Sequence, residues 1–457
     1  MTDWIPSLHS SRGPRYRAIV DSLEADIAAG RVKFGARLSP QRDLAERLGL
    51  SLGTVSKAYA EAERRGLIFG EVGRGTFVMR RPPDPHHPEY RGGARANLTL
   101  NVPPPTGEDK LIAAVLAEIA ADDNLPGLLG YLPHQGLRDH RDAIASWLAT
   151  LGIAVDADRL FITQGAQHAL SIALSLLAGR DDVVLTESLT YSGMLALAVQ
   201  TGCRLHGVDM DKNGLVPEAL ERKLDETGAQ VVYAMPSLQT PTGCVMPGER
   251  RQEIADIIRR RSAFLVEDDT YAFLFPRPPQ PISLLIPERS FYAFSFGKCL
   301  APGLRIGVMI APDAFRDRVI NALRATGWMA APLMAETVAR LIRNGGLAQQ
   351  VALKREKAAA RYAIAQRILG RHLRASSDTV GFHVWLELAA GRTVTALITE
   401  AALAGITLAP PGALQSFDSA LTGVRLCLGA VPTDAELERV LTILRDILET
   451  PESISVV

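Results

Sequence analysis

Between residues 16 and 29 the apolar positions Ile19, Val20, Leu23 and Ile27 recur at helical spacing. Pro40-Gln41-Arg42-Asp43-Leu44-Ala45-Glu46-Arg47-Leu48 predicts a second helix, with proline tolerated in its first turn. Gly49-Leu50 turns the chain, and Ser51 is placed to cap a third helix over residues 53–65. Two short strand-like runs, residues 66–70 and 75–79, flank the tip Gly73-Arg74-Gly75 and predict a hairpin. Residues 80–96 break every periodicity. Pro82, Pro83, Pro85 and Pro88 remove donors and stiffen the backbone, and Gly92-Gly93 loosens it, as in a short linker.

Beyond the linker, apolar runs at 160–163, 183–186, 231–234, 264–268 and 291–294 alternate with helical patterns such as 168–177 and 247–261. That alternation predicts an α/β layer around a mostly parallel sheet. After residue 340, long helices precede a strand-like run at 380–386, and a mixed pattern continues to the end. It predicts a smaller α+β subdomain. The expected division is residues 1–79, a linker at 80–96, and a large unit at 97–457.

The formal net charge is zero, so no global field draws the chain to nucleic acid or membrane. Locally the balance differs: residues 1–80 carry about +4, leaving about −4 for the rest. A basic first segment fits an anionic partner. Cys203, Cys244, Cys299 and Cys427 show no metal-ligand spacing. No apolar run follows a basic start, and none is long enough to span a bilayer. The cytoplasm is therefore expected.

Lys298 stands where the run 291–294 gives way to a loop. Ser295 lies three residues before it and Arg305 seven after. A lysine amine forms a Schiff base with an aldehyde, and a hydroxyl and a guanidinium grip phosphate. The stretch Ser295-Phe296-Gly297-Lys298 to Arg305-Ile306-Gly307 resembles the pyridoxal phosphate (PLP) lysine motif of fold-type I aminotransferases. The resemblance implies that Asp268 and Tyr271, in Asp268-Asp269-Thr270-Tyr271, meet the ring nitrogen and the phenolate oxygen. It implies that Gly165-Ala166-Gln167 form a phosphate-binding turn, with Ser295 and Arg305 completing the cup. Tyr191 would stack on the ring, and Arg425 would hold a ligand's α-carboxylate. Tyr131 would cross to a partner's phosphate. Thr240, in Gln239-Thr240-Pro241-Thr242-Gly243, replaces the family's asparagine at the phenolate oxygen and is shorter. Taken singly, Asp268 also reads as a helix cap, Tyr191 as a core ring and Arg425 as a surface ion pair.

Two helices joined by a tight turn and followed by a hairpin describe a winged helix-turn-helix, mostly α with a β-wing. Leu38-Ser39-Pro40-Gln41-Arg42-Asp43-Leu44-Ala45, Ser51-Leu52-Gly53-Thr54-Val55 and Gly73-Arg74-Gly75-Thr76-Phe77-Val78 resemble the GntR-type domain. By that likeness Arg42, Ser51, Thr54 and Lys57 face DNA, with Arg74, Gly75 and Thr76 on the wing. Leu52 stands where the family often has arginine, and leucine makes no bidentate guanine contact.

Together the halves resemble the MocR subfamily of GntR regulators. The resemblance implies a head-to-tail homodimer, an operator in double-stranded DNA, PLP as cofactor and no membrane partner. It implies sensing rather than catalysis: an amine or amino acid effector forms an external aldimine with PLP, displacing Lys298. Two other readings stay open, an active aminotransferase and a regulator that senses PLP itself.

Overall fold

The computed structural model describes residues 4–6, 14–28, 31–32, 36–64, 67–71, 75–78, 96–374, 380–389, 392–410 and 422–450. The chain divides into two compact units, Met1–Gly92 and Gly93–Val457. Arg74 and the expected linker up to residue 95 lie outside the described residues. Ala96, expected to end that linker, instead belongs to a strand.

In the first unit, α1 (Arg15–Ala28), α2 (Gln41–Leu48) and α3 (Leu52–Arg64) precede β1 (Ile68–Glu71) and β2 (Gly75–Val78). The helical periodicity delivers Ile19, Val20 and Leu23 to a core shared with Leu38, Leu44, Val55, Tyr59 and Val78. Pro40 caps α2 with an extended backbone, ψ 144°, rather than entering its first turn. Gly49 ends α2 in the left-handed region, φ 63°, and returns its N–H to Ala45 and Glu46. No side chain favours that conformation, which is what makes the α2–α3 turn tight. Ser51 Oγ accepts the Thr54 N–H at 3.3 Å and so caps α3. β1 and β2 pair antiparallel, Ile68 opposite Val78.

The second unit opens with a two-residue strand, β3 (Ala96–Asn97). Its main sheet comprises β4 (Leu160–Thr163), β5 (Val183–Glu187), β6 (Arg204–Val208), β7 (Val231–Ala234), β8 (Phe264–Asp268), β9 (Ser290–Ser295) and β10 (Gly307–Ile310). Their order across the sheet is β4-β10-β9-β8-β7-β5-β6. β10 alone runs antiparallel to its neighbours. β4, β7, β9 and β10 are buried along their whole length. That is why β4, β7 and β9 read as continuous apolar runs, whereas β10 lies outside the expected runs. A separate core under the helices Gly346–Leu369 and Asp434–Glu449 joins β11 (His383–Glu387) to the later strands. There β12 (Ile406–Thr407) pairs parallel with β3, and β13 (Gly423–Cys427) pairs antiparallel with β11.

The entry of β10 is the tightest point in the sheet. A Cβ on Gly307 would lie 2.5 Å from the carbonyl carbon of Gly165 and 2.8 Å from the Ala166 nitrogen. Backbone cannot retreat as a flexible side chain can. Gly307→Ala is expected to cost about 1–3 kcal/mol by overpacking, read as a lower denaturant midpoint for the second unit. An unchanged midpoint would show that the sheet yields at this position.

Candidate functional site

The carboxyl ends of parallel strands converge on one crevice, the usual place for a ligand in an α/β sheet. Thr163 ends β4 opposite Gly307, and Gly307 stands opposite Ser295 at the end of β9. Asp268 ends β8 beside Ala293. The Thr163–Gly307 pairing joins residues more than a hundred positions apart in the chain.

Ser295 Oγ accepts the Gly297 N–H at 3.1 Å and caps the single turn Phe296–Cys299 that carries Lys298. Lys298 is half-buried, and its Nζ donates to the main-chain carbonyl of Asn101. Burial pushes its ammonium down to about 8. Arg425 and Arg305 push the same way, and Cys427 and Asp268 oppose them. Burial raises the Tyr191 phenol, and the charges of Asp268, Arg425 and Arg305 act on it as well. Lys298, Asp268, Arg305, Arg425 and Tyr191 thus share one electrostatic neighbourhood.

Asp268 is buried. Its Oδ1 accepts Thr270 Oγ1 at 2.7 Å and the Thr270 N–H at 3.3 Å, and its Oδ2 accepts the Tyr233 hydroxyl at 3.3 Å. Burial raises its pKa, and these hydrogen bonds oppose the rise. Tyr271 is buried within reach of Asn101, whose Nδ2 donates to its hydroxyl at 2.6 Å. Burial holds that phenol well above its ordinary value.

Gly165, φ 83°, precedes the helix Ala166–Leu177; the His168 N–H reaches the Gly165 carbonyl at 3.2 Å, which leaves the Ala166 and Gln167 N–H groups ahead of the helical ladder. Arg305 holds a left-handed backbone, φ 51°, and its Nη2 donates to the Gln164 carbonyl at 3.0 Å. A Cβ on Gly165 would come within 2.7 Å of that Nη2, so the guanidinium lies directly on the turn. Gln167 Nε2 donates to the Gly193 carbonyl at 2.9 Å. A Cβ on Gly193 would strike the Tyr191 ring at 2.2 Å, so the missing side chain leaves that ring its place. Arg425, on β13, donates from Nη2 to the Thr99 carbonyl at 2.9 Å. Thr240 is buried, between Gln239 and Pro241.

Tyr131 is not brought into this cluster. It is 84 % exposed and packs on Trp328, ring centroids 5.5 Å apart. Sequence reasoning missed Asn101, Tyr233 and His383. Tyr233 and His383 sit inside apolar strands and read as core. Asn101 stands before Val102 and a proline run, in no motif.

In the first unit, α3 buries Val55, Ala58, Tyr59 and Ala62 and exposes Leu52, Gly53, Lys57 and Ala60 on its other side. Arg42 is exposed on α2. Ser51 and Thr54 are engaged with each other, hydroxyls 2.9 Å apart. Lys57 Nζ lies 4.7 Å from the centroid of the Tyr16 ring. Thr76 is half-buried on β2.

Residues 96–444 match the family Aminotransferase class I and II, and residues 15–78 match the bacterial regulatory proteins of the gntR family. The chain is 26% identical over 460 residues to the HTH-type transcriptional regulator YdeF of Bacillus subtilis, covering 98% of this chain and 97% of that one. It is 27% identical over 395 residues to the probable rhizopine catabolism regulatory protein MocR of Rhizobium meliloti, covering 79% and 78%. The chain belongs to the aminotransferase class I and II family, as a MocR-type GntR regulator. The solved α-aminoadipate aminotransferase LysN of Thermus thermophilus, complexed with N-(5′-phosphopyridoxyl)-L-leucine, shares the fold of this MocR-type regulator. The TM-score is 0.69 at 24% identity, covering 79% of this chain and 93% of that one.

The cofactor of this family is pyridoxal 5′-phosphate, and the donor set of this MocR-type regulator fits it. A lysine amine answered by a neutral carbonyl is free to take an aldehyde. A buried carboxylate awaits a ring cation, and a helix N-terminus with a guanidinium and a serine hydroxyl suits a phosphate. Among the described residues no helix is long and apolar enough to cross a membrane, and no side-chain cluster would hold a metal.

Only the neutral amine attacks an aldehyde. With Lys298 titrating at about 8, the rate of PLP uptake should fall about tenfold per unit below that pH and level off above it. Uptake is measured by visible absorbance, and Lys298→Ala should abolish both the band and any borohydride-trapped adduct. A reducible lysine adduct in the variant would move the attachment elsewhere.

Proposed function

We propose that this chain is a transcriptional regulator that reads operator DNA through residues 1–79 and senses an amine or amino acid through PLP held on Lys298. The observation that carries the reading is the shared neighbourhood of Lys298, Asp268 and Arg425 on a chain whose first unit exposes one side of α3. PLP, when bound, supplies an aldehyde that condenses reversibly with primary amines. Lys298 would hold the cofactor through its Nζ, and once released by an effector's amine that Nζ would carry the proton the amine gives up. Asp268, held in place by Thr270 and Tyr233, would face the ring nitrogen. The Ala166 and Gln167 N–H groups, Ser295 and Arg305 anchor the phosphate. Tyr191 covers one face of the ring and excludes water there. Arg425 grips the effector's carboxylate by its planar fork.

In the first unit, Arg42, Ser51, Thr54 and Lys57, with Arg74, Gly75 and Thr76 on the wing, meet phosphates and base edges. The assembly is a head-to-tail homodimer, for which the exposed Tyr131 is free to reach a partner's phosphate. An effector changes DNA binding by binding two arrangements of the dimer with different affinity. Catalysis is the second reading, favoured by the completeness of the Lys298–Asp268–Tyr271 set. Conversion of PLP to the pyridoxamine form, followed by keto-acid exchange, would establish it. Operator binding that responds to PLP alone would instead make PLP the signal.

Arg425→Ala should leave the Lys298-linked absorbance intact but weaken effector binding more than tenfold, since losing half of a desolvated charged pair costs about 2–5 kcal/mol. Effector titration and thermal melting, run together, check this. Lost melting temperature with unchanged effector affinity would remove Arg425 from the effector site.

Arg42→Ala should weaken operator binding and reduce the slope of log K against log salt by about 1, with PLP spectra unchanged. Equal operator affinity in both proteins would exclude Arg42.

A further inference from the structure

We infer that Asn101 is a positioning residue, the middle of a hydrogen-bond relay from the Gln239 carbonyl through His383 that fixes where the Tyr271 hydroxyl proton points. The inference rests on the reading of Tyr271 and Lys298 as cofactor contacts.

The direction of the relay follows from its fixed end. A carbonyl oxygen only accepts, and Gln239 O lies 3.2 Å from His383 Nε2. His383 therefore carries its proton on Nε2. Its ring is buried and neutral, the imidazolium pushed down to about 3 by burial, with Arg425 adding to the fall. A neutral ring protonated on Nε2 presents a lone pair on Nδ1. That lone pair faces the Asn101 side-chain amide at 3.4 Å, so the group it meets is the NH2 and not the oxygen. The amide orientation is thus set by its neighbours. The same Nδ2 donates to the Tyr271 hydroxyl at 2.6 Å. A phenol has one proton, and with Asn101 donating into its oxygen that proton must point elsewhere. Tyr271 becomes a donor on the side away from Asn101.

The segment that carries Asn101 is fixed on both sides. Leu98 N donates to the Thr407 carbonyl at 3.0 Å, and Leu98 O accepts the Cys427 N–H at 2.9 Å. Lys354, fully buried, donates to the Pro104 carbonyl at 2.7 Å. A Cβ on Gly429 would lie 1.8 Å from Val102 O, so the main chain is packed against β13's exit without slack. Asn101 also accepts Lys298 Nζ on its own carbonyl, so one residue orients both the amine and the phenol. Its Oδ1 is buried and has no partner among the described residues. An acceptor left open in a packed interior is costly, and the relay is what keeps the amide from turning over to satisfy it.

The test uses the PLP-loaded full chain and reads the pH midpoint of its visible absorbance. Asn101→Ala should shift that midpoint in the same direction as Tyr271→Phe, by about one unit. The double variant should match Tyr271→Phe alone, because Asn101 acts through Tyr271. A wild-type midpoint in Asn101→Ala, or additive shifts in the double variant, overturns the relay. Tyr271→Phe with a wild-type midpoint would show instead that the reading of Tyr271 as a cofactor contact is wrong. A measurement on the unmutated chain guards against misfolded variants: nitrogen NMR of His383 should show the Nε2–H tautomer. The Nδ1–H tautomer would overturn the relay by itself.

Discussion

Three acids in a row, Glu267, Asp268 and Asp269, are buried at the end of the central strand β8, and the second unit is arranged around keeping them there. Strand alternation divides them. On one face, Glu267 accepts the Ile282 and Ser283 N–H groups, and Asp269 accepts the Tyr292 hydroxyl. Arg251, fully buried nearby, donates to the Met246 and Pro236 carbonyls and to Ser237 Oγ. Burial raises the pKa of Glu267, and Arg251 opposes that rise. Burial pushes Asp269 up to about 7, with Glu267 adding and Arg251 opposing. Unsupported, such charges would neutralise or unfold the strand. On the other face Asp268 is held by two hydroxyls and one N–H, with no ion pair among the described residues, and the Lys298 charge acts on it. That asymmetry is what suits Asp268 to the proposed cofactor contact.

Most strands covered on both faces were legible, but β10, buried along its whole length, was not. Residues 160–163, 231–234 and 291–294 read as apolar runs because helices pack on each side. β6 escaped because Arg204 and His206 reach solvent from the sheet edge. β3 and β12, two residues each, are shorter than any periodicity. Lys298, Asp268, Tyr271 and Arg425 could be named because the stretches that carry them resemble motifs of the aminotransferase family. Asn101, His383 and Tyr233 could not, because their importance lies in a proton's direction. For Asn101 and His383 that depends on neighbours 144 to 282 residues away in sequence, and for Tyr233 on Asp268, 35 residues away.

Leu52 illustrates a different limit. Its place at the start of α3 was readable, and the structure leaves it exposed, 43 %. An apolar side chain held in water at the head of a helix is a small standing cost. The sequence pattern registers it only as a departure from arginine.

Among the described residues, the stretch from Ala96 to Pro104 is the first part of the second unit that the chain reaches after the boundary at Gly92. It lends carbonyls to Arg425 at Thr99 and to Lys298 at Asn101. The two cations of the crevice are therefore tethered to the main chain at its point of entry, as stays hold a mast at its foot. A visitor that draws either cation away slackens a stay.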